Sequence, residues 1–129
     1  MANFTFSGVY TRIRDAVKTA NPSVYVTARL VDMPSVFPCV YVSLQERNRV
    51  NSALTLNDTD HAWEEDIQVN VFVNTETALT DANAIMDVVK EVMRGLHYRQ
   101  YSEVPVDNVD TYVLVDRFRR VIGGSDLID

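Results

Sequence analysis

The chain has 129 residues, 47% of them hydrophobic and 23% charged, with four Gly and four Pro. That is the composition of one globular domain, 1–129, long enough to bury a core without staples, and neither disordered nor fibrous. Its formal net charge of −6 argues against a nucleic-acid binder that must neutralise phosphates. No apolar run reaches the roughly 20 residues a membrane span needs. MANFTFSGVYTRIRD has neither the basic start nor the apolar centre of a signal peptide, which implies synthesis in a reducing, intracellular place, as does the single cysteine, Cys39.

From Phe6 to Ala20 the spacing predicts a helix. Val9, Ile13 and Val17 fall four apart, extended by Phe6 and Tyr10, with Ser7 as its N-cap and Asn21-Pro22 as its end. SVYVTARLV (23–31) predicts a first strand. Asp32-Met33-Pro34 turns into VFPCVYVSLQE, a second strand with Val36, Val40, Val42 and Leu44 on one face and Cys39, Tyr41 and Ser43 on the other. Pro38 belongs at its beginning or on an edge.

RNRVNSALTLNDTDHA follows, long for a hairpin loop. It reads as a projecting arm, about 46–61, whose Val50, Leu54 and Leu56 have no core to enter and are candidates for contact with another chain. HAWEEDIQVNVFVN (61–74) then alternates with period two. Trp63, Ile67, Val69, Val71 and Val73 share one face, with Glu65 the intruder; Glu64, Asp66, Gln68 and Asn70 share the other. Three readings stay open for the polar face: bulk water, a neighbouring subunit, or a water-filled channel.

Thr75 to Leu96 predicts the second helix, capped by Thr77 or Thr80 and ending near Gly95. HYRQYSEV reads as a fourth strand, PVDNVD as a turn, TYVLVDRFRRVIG as a fifth strand in a central position, and 123–129 as a loose tail. Arg117 and Arg119 share one face of that strand, with Asp116 and Arg120 on the other. These arginines form either a solvated rim or an inter-subunit patch matched to the acidic strand. The order predicts an α+β fold: a mixed, mainly antiparallel sheet of about four to five strands, two helices on one face and a projecting β-hairpin arm.

No catalytic grouping emerges. His61 and His97 read as surface residues, and Cys39 as a small half-buried strand residue. The acidic stretch from Asp58 to Asp66 lacks the glycine about which a calcium loop bends. No phosphate-binding loop is present, and no metal or cofactor is expected.

FPCVYVSLQE with its polar arm, EEDIQVNVFVNTE, DANAIMDVVKEVMRGLHYRQY and VPVDNVDTYVLVDRFRRVIG, in that order, resemble the tail terminator (tail completion) proteins of long-tailed bacteriophages and the related head–tail joining proteins. The resemblance covers about Phe37 to Ile122. It implies a non-enzymatic virion protein, assembled in the bacterial cytoplasm, that forms a hexameric ring. Such a ring caps the tail tube, ends its polymerisation and joins it to the head connector, while DNA passes through the lumen unbound. The lumen or the subunit seam would then be lined by Glu64, Asp66, Gln68, Asn70, Arg117, Arg119 and Arg120. Alternatives are a head-side neck adaptor and a small ligand-binding α+β domain.

Overall fold

The computed structural model describes residues 2–3, 5–29, 34–49, 62–107, 110–123 and 127–128. A two-residue strand, β1 (Ala2–Asn3), precedes α1 (Phe6–Ala20). Helix α1 buries the expected stripe: Val9, Ile13 and Val17 are at most 1% exposed. Its cap is Thr5 rather than Ser7: Oγ1 of Thr5 accepts the Gly8 N–H at 3.1 Å, while the Ser7 carbonyl accepts the Thr11 hydroxyl. At the other end the Asn21 N–H closes on the Val17 carbonyl at 2.8 Å, ahead of Pro22.

Strand β2 is only Tyr25–Thr27, shorter than the sequence suggests, and runs parallel to β3 (Cys39–Arg49). The Arg29 N–H bonds the Thr27 hydroxyl at 3.0 Å instead of continuing a ladder. Strand β3 starts immediately after Pro38, with Val36 half exposed ahead of it. It pairs antiparallel with β4 (Ala62–Val73) from Cys39↔Phe72 to Arg49↔Trp63, around a bulge between Leu44 and Glu46. The root of the expected arm is therefore continuous ladder. Val50, Leu54, Leu56 and His61 lie outside the described residues. Leu44 and Trp63, which the sequence groups on one face with Val40 and Val42 and with Ile67 and Val69, are 38% and 40% exposed on this part of the ladder.

Helix α2 (Ala78–Gly95) begins after Thr77, whose hydroxyl, like that of Thr75, donates to Oδ2 of Asp81 rather than capping a backbone N–H. The reversal at its end falls on His97 (φ 65°), not Gly95. The Tyr98 N–H reaches the Met93 carbonyl at 2.8 Å and the His97 N–H the Arg94 carbonyl at 3.0 Å, which satisfies the last carbonyls. Strand β5 (Arg99–Asp107) includes Pro105-Val106-Asp107, read as a turn from the sequence. Proline is tolerated there because β5 is an edge strand. Strand β6 (Tyr112–Gly123) has the expected interior position, between β4 and β5. The end of the chain, read as loose from 123, carries β7 (Leu127–Ile128), which pairs antiparallel with β1.

The five-stranded sheet has the order β2-β3-β4-β6-β5, antiparallel except for β2–β3. Both helices pack on one face, as expected of the α+β reading. Ala82, Met86, Val89 and Met93 of α2 and the α1 stripe meet Val40, Val42, Ile67, Val69, Val71, Leu114 and Phe118, all nearly or fully buried. Each such large side chain contributes about 1.5–3 kcal/mol. No described helix is long and apolar enough to cross a membrane.

Candidate interaction face of the sheet

With both helices on one side, alternation sends every second side chain of β3, β4, β6 and β5 to the other, open side. The antiparallel register places these residues in cross-strand rows. Cys39, Phe72, Val113 and Val106 form one row, and Tyr41, Asn70, Val115 and Val104 the next. These two rows are mostly apolar. Cys39, Phe72 and Val113 are buried in a small cluster flanked by Phe37, Tyr41 and Val115, while Val104 and Val106 on the edge strand remain 50% and 39% exposed. Burial raises the pKa of the Cys39 thiol, so the residue is a small hydrophobe rather than a nucleophile.

The following rows are polar and joined to one another. Gln68 sits between Ser43 and Arg117, and Asp66 between Glu46 and Arg119. Arg117 Nε donates to Gln68 Oε1 at 3.0 Å, and Gln68 Nε2 donates to Asn70 Oδ1 at 2.9 Å. Asp66, 4% exposed, accepts from the Tyr101 hydroxyl and lies 3.5 Å from Arg119 Nη2 and 4.0 Å from Arg117 Nη1. Arg119 also approaches Glu64 at 3.5 Å, and its guanidinium lies 4.3 Å from the centre of the Tyr101 ring. Among the described residues the face carries three carboxylates, Glu46, Glu64 and Asp66, against three guanidiniums, Arg99, Arg117 and Arg119. The acidic strand is neutralised within its own chain.

Of the residues the sequence singles out, Glu64, Asp66, Gln68, Asn70, Arg117 and Arg119 come together on this face. Arg120 does not. Its side chain turns to the helix side, where Nη1 donates to the Leu96 carbonyl at the end of α2 at 2.6 Å. Tyr101, Val104 and Val106 join the face without having been anticipated: the β5–β6 register brings Val104 and Val106 there, and Tyr101, at the irregularity between Gln100 and Ser102, reaches Asp66 and Arg119.

Two buried acids occupy the helix side. Glu65, 1% exposed, is held by Arg47 of β3 and by the Tyr98 hydroxyl at 3.0 Å. Burial first, and then Glu65, raises the pKa of the Tyr98 phenol, which stays protonated as a donor. Asp116, with no exposed surface, sits between Leu114 and Phe118. Among the described residues no group of His, Cys, Asp and Glu side chains comes together that could hold a metal ion.

No protein-family model matches the chain, and no curated protein does. Among solved structures the fold recurs. A chain of the "Virion of native gene transfer agent (GTA) particle" is similar over 92% of this chain and 93% of its own, with a TM-score of 0.63. At 17% sequence identity, the likeness is one of fold.

Proposed function

We propose that the chain is a virion structural subunit of the tail-terminator type. It assembles into a hexameric ring that caps the phage tail tube, ends its polymerisation and joins it to the head connector. The observation that carries this reading is the likeness, along nearly the whole of both chains, to a chain of a gene transfer agent virion. It agrees with the order and spacing of the sequence motifs. On this reading the protein is non-enzymatic, is assembled in the bacterial cytoplasm, and lets DNA pass through the ring unbound.

The open face of the sheet is the subunit seam in this proposal, rather than the lumen wall. Val104, Val106 and the rim of Tyr101 are exposed there, and apolar side chains are stabilised by a neighbouring protomer but not by a water-filled channel. Glu64 and Asp66 are neutralised by Arg117 and Arg119, so this strand offers DNA no strongly repelling surface. The arm, with Val50, Leu54 and Leu56, reaches the next protomer, since heterologous contacts close into rings when the rotation suits.

The test is to add the purified protein to polymerising tail tubes and measure their lengths by electron microscopy. Tubes that stop growing when it is present are the expected result. Binding to filled heads with tube length unchanged moves the protein to the head side of the joint. Binding to neither sinks the reading.

A further inference from the structure

Asp116 stands where the inward alternation of β6 calls for an apolar residue, and it is wholly buried. Gln100 Nε2 donates to its Oδ2 at 2.8 Å, but its Oδ1 meets no donor. Lys90 of α2 lies 4.0 Å from that Oδ2 and 2.9 Å from Oε2 of Glu103 on β5. Gln100 also reaches Glu103, at 3.3 Å. Asp87, on α2, adds negative potential, and β4 presents only Val69 opposite Asp116. Two carboxylates thus share one ammonium and one amide, and one of them has no access to water.

With both acids ionised, the group of Asp116, Glu103 and Lys90 carries an uncompensated negative charge at a buried position, which is costly. One proton removes it. Burial, and then the neighbouring Glu103, raise Asp116 to about 7, whereas the hydrogen bond from Lys90 lowers Glu103, so the proton resides on Asp116. Strand β5 has little else to hold it to α2: its side chains, Ser102 apart, are exposed.

We propose that Asp116, Glu103 and Lys90 form a proton-operated latch between the edge strand β5 and helix α2, closed while Asp116 carries its proton and loosened when the proton leaves. A carboxyl that binds its proton more tightly in the closed state stabilises that state at low pH. The contribution is lost as pH rises through the closed-state value.

Amide hydrogen exchange of β5 in the full chain, corrected for intrinsic rates and referenced to β4, reads the latch directly. Between pH 5.5 and 8.5 the wild type should lose about 30-fold in protection, for a carboxyl titrating near 7 when closed and 3.8 when open. Asp116→Asn should flatten that slope. A wild type without the slope, or an Asn variant that retains it, overturns the proposal. If Asp116→Asn does not fold, Glu103→Gln leaves Lys90 to Asp116 alone and should move the midpoint to lower pH; an unmoved midpoint overturns it equally. The carboxyl ¹³C shift of Asp116 should titrate near 7, and a midpoint below about 5 refutes the latch.

Discussion

Removing one oxygen from the core, in Tyr98→Phe, should cost more than most surface changes of greater size. The Tyr98 hydroxyl donates to Oε2 of Glu65 at 3.0 Å, with 6% of the tyrosine and 1% of the glutamate exposed, so water does not replace the lost donor. A hydrogen bond to a buried charge contributes about 1.5–3 kcal/mol, and for a chain of this size that lowers Tm by roughly 5–10 °C. Glu65→Leu removes the charge itself. It takes one acceptor from a neutral hydroxyl and frees Arg47, already 44% exposed, into water, so its cost should be about 1–2 kcal/mol. The double variant replaces both partners by apolar groups and should cost less than the two single changes together, with a coupling of about 1.5 kcal/mol. Urea unfolding followed by circular dichroism measures all four corners of the cycle. Tyr98→Phe within about 0.5 kcal/mol of wild type, or strictly additive single costs, would refute the claim that Glu65 depends on Tyr98.

On the open face, Asp66→Asn should destabilise by about 2–3 kcal/mol and Glu64→Gln by less than about 1, because Asp66 is 4% exposed while the side chain of Glu64 is 39% exposed. Equal urea midpoints for the two variants would contradict the network described here. His97→Gly should raise stability by up to about 1 kcal/mol, since glycine adopts the left-handed backbone at φ 65° without steric cost; differential scanning calorimetry decides the sign. On the proposal that the open face is a subunit seam, Val104→Glu combined with Val106→Glu should leave Tm within about 2 °C and abolish self-association in light scattering after size-exclusion chromatography, as both residues are half exposed in the folded chain. Rings that persist in this variant would move the seam elsewhere.

Both helices and the two longest strands of the sheet were legible because their signals are local. Val9, Ile13 and Val17 repeat at the helical period before Pro22, and Ile67, Val69, Val71 and Val73 alternate without a break. The extent of β5 was hidden because Pro105 and Asp107 are turn formers, and only the free edge of a sheet accommodates such a proline. The pairing of Asp66 with Tyr101 and Arg119 depends on register between strands 35 and 53 residues apart, which no local pattern carries. Glu65 and Asp116 did leave a trace: Glu65 interrupts an otherwise apolar inward series, and Asp116 stands between the inward-facing Leu114 and Phe118. The sequence marks such an intruder without naming its partner, here a tyrosine beyond the end of α2 and a glutamine on the edge strand.

Strand β4 finds only one of its two neighbours nearby in the chain. Its partners on β6 lie from 39 residues away (Val73↔Tyr112) to 61 (Ala62↔Gly123). At ribosomal rates of roughly 5–20 residues per second, the unpaired edge of β4 waits about 2–12 s for that partner to emerge. The intervening α2 can fold at once and cover one face of the strand, but it cannot satisfy the strand's edge. Translation speed across residues 74–123, and a chaperone able to shield an unpaired strand, should therefore govern the yield of folded chain more than the stability of the finished domain does.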